Sequence, residues 1–168
     1  MPELKPQERL QPALLDRLID DEPAKKLENR ESQLINRSRL RQAVLRDLAW
    51  LFNSTRLGGM DGYPYADQSV VNFGLPSLSG ETASTLDVIA LEGAIRNAIL
   101  TFEPRIIPST LQVEALMSDL QLDHHSVISI QIRGNLWAQP VPIELLLRTE
   151  LDLETGAVEI RDLGKSGL

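Results

Sequence analysis

Apolar residues recur at helical spacing in three places along this chain, and beyond residue 105 the spacing changes to strict alternation. From Gln11 to Asp20, Leu14, Leu15, Leu18 and Ile19 fall on one side of a helix, and Pro12 suits its first turn. Two helical turns are too short to be stable alone in water. The charged, proline-broken segment that follows, from Asp20 through Pro23 to Glu31, has almost no bulky apolar residue and reads as a tether. An amphipathic helix on a tether is the pattern of an arm that docks on a partner; a helix folded back on its own core is the alternative.

A second helix is expected from Ser38 to Asn53, with Leu40, Val44, Leu48, Leu51 and Phe52 on its core side. The third, Thr85 to Phe102, places Leu91, Ile95, Ile99 and Phe102 at spacings of four, four and three, with Leu86 and Ala98 beside them. Between these two lies a glycine-rich stretch, residues 54–81, with Gly58-Gly59, Asp61-Gly62 and Gly74-Leu75-Pro76, which predicts a long ordered loop.

Alternation begins with Leu111, Val113, Ala115 and Met117. It continues through Ile128, Ile130 and Ile132, then Ile143, Leu145, Leu147, Leu151 and Leu153. Glu154-Thr155-Gly156 turns the chain into Val158 and Ile160. The expected fold class is α+β: an antiparallel C-terminal sheet of about four strands packed against about three helices. Residues 1–36 form the arm and tether in this reading, and 37–168 a single α+β domain. At least one strand must lie at an edge, where its unpaired backbone groups form a template for another chain.

Charge changes the picture of possible partners. The net charge is −7, distributed as +2 over residues 1–56 and −9 over 57–168, so nucleic acid is not an expected partner of the body of the protein. The one basic stretch, Arg37, Arg39, Arg41, Arg46 and Arg56 against the single acid Asp47, lies mostly on the second helix. It reads as a solvated face or as a docking surface for an acidic partner. With no cysteine, no disulfide or thiol chemistry is available, and no stretch has the form of a signal peptide or a bilayer span. A soluble cytoplasmic protein is expected.

Glu103-Pro104-Arg105 stands where the third helix meets the strands. Proline stops the helix and restricts the residue before it, which leaves Glu103 at the unfavourable end of the helix dipole. Arg105 can hold a carboxylate through two parallel hydrogen bonds. The plain reading is a helix stop with a local ion pair; the sharper one is that Arg105 forks a core or partner carboxylate.

Catalytic groups are scarce. The adjacent histidines, His124 and His125, point to opposite sides of an extended chain and do not readily share a metal, even with Asp119 and Asp123 nearby. Gly74 to Gly80 is neither a Gly-x-Ser-x-Gly elbow nor a phosphate loop. Carboxylates are plentiful enough to supply a glycosidase-like pair by chance, but aromatic residues make up only 4% of the chain and offer few sugar platforms. No cofactor or metal is expected.

Taken in order, Arg46-Asp47-Leu48-Ala49-Trp50-Leu51-Phe52-Asn53, Ser69-Val70-Val71-Asn72-Phe73-Gly74-Leu75-Pro76, Phe102-Glu103-Pro104-Arg105 and the closing Thr155-Gly156 hairpin resemble the TssE family of type VI secretion baseplate components. That family is similar to the inner baseplate wedge protein of contractile-tailed phages. Leu14-Leu15-Asp16-Arg17-Leu18 also resembles its N-terminal segment. The resemblance implies a non-enzymatic assembly protein that joins the wedge with TssF and TssG, contacts TssK, and starts the TssB/TssC sheath from a baseplate docked at the cytoplasmic face of the inner membrane. It implies partner contacts at Glu103, Pro104, Arg105, Leu14, Leu15, Leu18 and Ile19. Some relatives carry a lysozyme-like label, so a peptidoglycan-cleaving glycosidase is the alternative.

Overall fold

The computed structural model describes residues 14–18, 37–57, 64–77, 87–116, 127–138 and 141–164. Four helices occur in this set: α1 (Leu14–Leu18), α2 (Arg37–Phe52), α3 (Pro64–Asp67) and α4 (Val88–Phe102). Four strands follow, β1 (Gln112–Leu116), β2 (Val127–Leu136), β3 (Ile143–Asp152) and β4 (Val158–Asp162), in one antiparallel meander of order β1-β2-β3-β4. The fold class is α+β. Only two helices, α2 and α4, cover the sheet, where about three were expected. The reason is length: α1 spans five residues, and its Leu15 and Leu18 stay exposed, at 42% and 72%. Ile19, the tether, Thr85, Leu86, Met117, Asp119, Asp123 and the histidine pair lie outside the described residues.

The apolar stripes meet as their periods require. Leu40, Val44, Leu48, Leu51 and Phe52 of α2 are buried, as are Leu91, Ile95, Ala98 and Ile99 of α4. They cover the sheet face formed by Ile130, Ile132 and Leu136 of β2 and Leu145, Leu147 and Leu151 of β3. Register places Ile132 opposite Leu147 and Ile130 opposite Thr149, and the buried Thr149 hydroxyl donates to the Ile130 carbonyl at 3.0 Å. Each such aliphatic side chain contributes about 1.5–3 kcal/mol by leaving water. Alternate positions on the other face are mostly polar: Arg161 of β4 pairs with Glu150 of β3, and Arg148 and Glu159 join the same cluster within their own strands.

Asp87 caps α4, its carboxylate accepting from the Ala90 amide at 3.0 Å. The long loop is clasped at its ends. Leu75 donates to Ser54 and accepts from Arg56, both at 2.9 Å, around a parallel Thr55–Leu75 bridge. Gly74 makes this possible: its φ is +132°, and a Cβ there would stand 2.3 Å from the Ser54 carbonyl oxygen. Phe73 then packs edge-on against Phe102, ring centroids 5.2 Å apart.

The basic stretch is neither simply solvated nor simply free to dock. Arg41 forks Asp162, with Nε 2.6 Å from Oδ2 and Nη2 on Oδ1, and donates to the Glu144 carbonyl at 2.7 Å. Arg37 donates to the Val141 carbonyl at 2.6 Å. These arginines fasten α2 to the C-terminal strands.

The two sheet edges are finished by different side chains. On β4, the ladder to β3 uses Ala157 and Leu163, so alternation turns the backbone groups of Val158 and Ile160 outward. The Asn53 amide, just past α2, grips Val158, donating to its carbonyl at 2.9 Å and accepting from its N–H at 3.0 Å. Among the described residues no segment pairs with the outward groups of Ile160. On β1, Glu92 of α4 accepts from the outward Ala115 N–H at 2.7 Å, and Arg96 donates to the Leu111 carbonyl.

Candidate functional site

Helix α4 ends at Phe102, and Glu103 is its C-cap, the Glu103 N–H still donating to Ile99 at 2.8 Å. Pro104 forces the chain out of the helix, and a tight turn closes with Ile106 N–H on the Glu103 carbonyl at 3.2 Å. The exit strand is stitched at once to the end of β2: Trp137 donates to the Arg105 carbonyl at 2.7 Å and Ile107 to Asn135 at 2.8 Å. The backbone of the corner is therefore fixed from both sides.

The side chains of Glu103 and Arg105 turn toward the body of the protein, while Pro104 is exposed. Glu103 is only 3% exposed. Arg105 holds it with Nε 2.7 Å from Oε1 and Nη2 2.5 Å from Oε2, while the Arg105 N–H adds a third bond at 3.1 Å. The same Nη2 reaches Asp47 of α2 at 2.5 Å. Asp47 in turn accepts from Arg46 at 3.0 Å, and Arg46 donates to Asp16 of α1 at 2.5 Å. One line of alternating charges thus links α4, α2 and α1. Burial pulls the Arg105 guanidinium down, but hydrogen bonds and charge from Glu103, then Asp47, outweigh it and raise its pKa. Arg46 is also raised, chiefly by its bond to Asp16.

A groove of about 460 Å³ opens over this line, walled by Leu15, Leu48, Trp50, Leu51, Phe73, Phe102 and Pro104 with Arg46, Asp47, Glu103 and Arg105. Arg46 lies over the half-exposed Trp50 ring, 5.1 Å from its centroid. Of the residues expected from the sequence, the structure brings Glu103, Pro104, Arg105 and Leu15 to this one groove. Leu18 points to solvent, and Ile19 is outside the described residues. Glu103 is buried and held by Arg105. The plain reading of a local ion pair falls short, because Arg105 also spans to α2.

Arg46 and Asp47 belong to the basic stretch, and Trp50, Phe73 and Asp16 to the family-like motifs, but the sequence does not mark these five as residues of one site. Asp47 stands beside the buried Leu48, and an acid flanking an apolar stripe within a run of arginines is the signal that could have found it. Chemically the arrangement fastens elements together. Both Glu103 oxygens accept from Arg105, so neither is presented as a proton donor to a bound substrate. Among the described residues no cluster of metal-ligating side chains occurs, and no helix is long and apolar enough to cross a membrane.

A family model described as baseplate wedge protein gp25 matches residues 38–141, from α2 across the groove and the first two strands. Comparison with curated proteins and with solved structures gives no match.

Proposed function

We propose that this chain, which belongs to the baseplate wedge protein gp25 family, is a non-enzymatic structural component of a type VI secretion baseplate. Its partners are the wedge subunits TssF and TssG, with TssK nearby, and the first TssB/TssC sheath subunits; its place is the cytoplasmic baseplate. Residues 1–36 act as a docking arm and tether for the α+β body. Leu14, Leu15, Leu18 and Ile19 of the arm, with Arg105 at the groove, are the wedge contacts in this reading.

The observation that carries it is the outward rung at Ile160, an N–H and C=O with which no segment pairs among the described residues, on the edge strand of a protein of this family. An incoming strand pairs there first and extends by displacing the Asn53 side chain from Val158. Ile160→Pro removes the outward N–H without touching a ladder bond to β3. Sheath assembly should be lost while co-purification with the wedge subunits persists. Normal sheaths in a folded Ile160→Pro variant would move the sheath contact to another surface. Release of peptidoglycan fragments by the purified protein, abolished by one carboxylate-to-amide change, would overturn the structural assignment itself.

A further inference from the structure

Helix α4 closes the β1 edge with two side chains one helical turn apart, and the groups they occupy are complementary to each other. Val113 sits opposite Ile132 and Ala115 opposite Ile130. The ladder alternates, so Leu111, Val113 and Ala115 turn their backbone groups away from β2. Suppose a second β1 strand approached antiparallel about a two-fold axis at Val113. Val113 would then pair with its own counterpart, and each Leu111 carbonyl would meet the Ala115 N–H of the other copy. That carbonyl and that N–H are the two groups now held by Arg96 and Glu92.

We propose that Glu92 and Arg96 form an edge lock that prevents β1 from pairing with the β1 strand of a second copy of this chain. Strand pairing across a two-fold axis is self-complementary and needs no sequence match beyond the strand itself. Between the two blocked positions only the Val113 groups stay unpaired among the described residues, and one position offers too few bonds to hold a second chain. The lock leaves β4 as the edge available for strand addition. It rests on the fold alone, so the sheath assay on Ile160 can fail without bearing on it.

The test is the mass of the full-length protein by sedimentation over a concentration series. Glu92→Ala/Arg96→Ala should show a concentration-dependent doubling of mass that the parent lacks. Adding Val113→Pro, which removes the central outward N–H, should restore the parent mass, whereas adding Ile160→Pro should leave the dimer in place. A folded double variant that keeps the parent mass overturns the lock. So does a dimer that survives Val113→Pro but vanishes with Ile160→Pro, because it would belong to β4. If the double variant fails to fold, the single variants decide. Glu92→Ala bares only the donor and Arg96→Ala only the acceptor, so in either variant one group at each end of the pairing stays held, and each alone should keep the parent mass. A single variant that dimerises, with the dimer lost on adding Val113→Pro, overturns the proposal that both side chains are needed.

Discussion

Helix α2 is tied down near both ends by an arginine–carboxylate contact, a two-point fork of Arg41 on Asp162 and a single bond from Arg105 to Asp47, and the two ties differ in what surrounds them. Near its start, Arg41 reaches out to Asp162 on β4, and both side chains keep some contact with water, at 14% and 13%. Near its end, Asp47 receives Arg105, and that contact is the more exposed of the two, at 26% and 25%, but the other bonds of Arg105 hold a Glu103 that is 3% exposed. The cost of losing the arginine differs, because water can replace it at Asp162 and cannot easily do so at Glu103. Such ties resist disruption in proportion to the burial of the group left behind, more than to the number of their bonds.

The largest expected effect is at the buried end. Arg105→Ala leaves Glu103 unpaired and should destabilise by about 3–5 kcal/mol, read as a lower urea midpoint. Arg105→Lys should lose nearly as much, since an ammonium cannot serve two Glu103 oxygens and Asp47 with a planar fork. A lysine variant with the parent midpoint would break the comparison, because charge alone would then suffice. Arg41→Ala comes next, at about 1.5–3 kcal/mol for a charge-assisted pair that solvent partly replaces. A loss larger than that of Arg105→Ala would invert the order and show that the β4 tie governs stability. The smallest is Asp16→Ala, at about 0–1 kcal/mol. Amide exchange over residues 14–18 should already be fast in the parent protein and slow on wedge binding. Strong protection in the free chain would extend the buried tie to α1 and favour the folded-back helix.

The elements that periodicity announces are those whose side chains face one shared core. The apolar stripe from Leu91 to Phe102 and the alternation from Ile128 to Leu153 are such patterns, and they fix α4, β2, β3 and the side each buries. Polar positions beside a stripe carry no such signature. Asp47, Glu92 and Arg96 look like ordinary members of a solvated helix face, yet each is committed to a group on another element, Asp47 to one 58 residues away. Glu103 and Arg105 could be read as a pair from their spacing around Pro104. The third member could not, because it is set by how α2 crosses the end of α4. The third sheet-covering helix that periodicity predicts is missing for a related reason: Leu14 to Ile19 has the right spacing, but spacing does not say what surface a helix covers.

The Gly74 clasp makes the stretch it closes a place to attach something. Because Ser54, Arg56 and Leu75 join the ends of that stretch by backbone bonds, chain added between Leu57 and Pro64 does not have to be held in place by the core. Doubling such a loop costs only about 0.6 kcal/mol in closure entropy. A short epitope or fluorophore-binding peptide carried there would leave the clasp intact, and its signal would report the protein's arrival in an assembly.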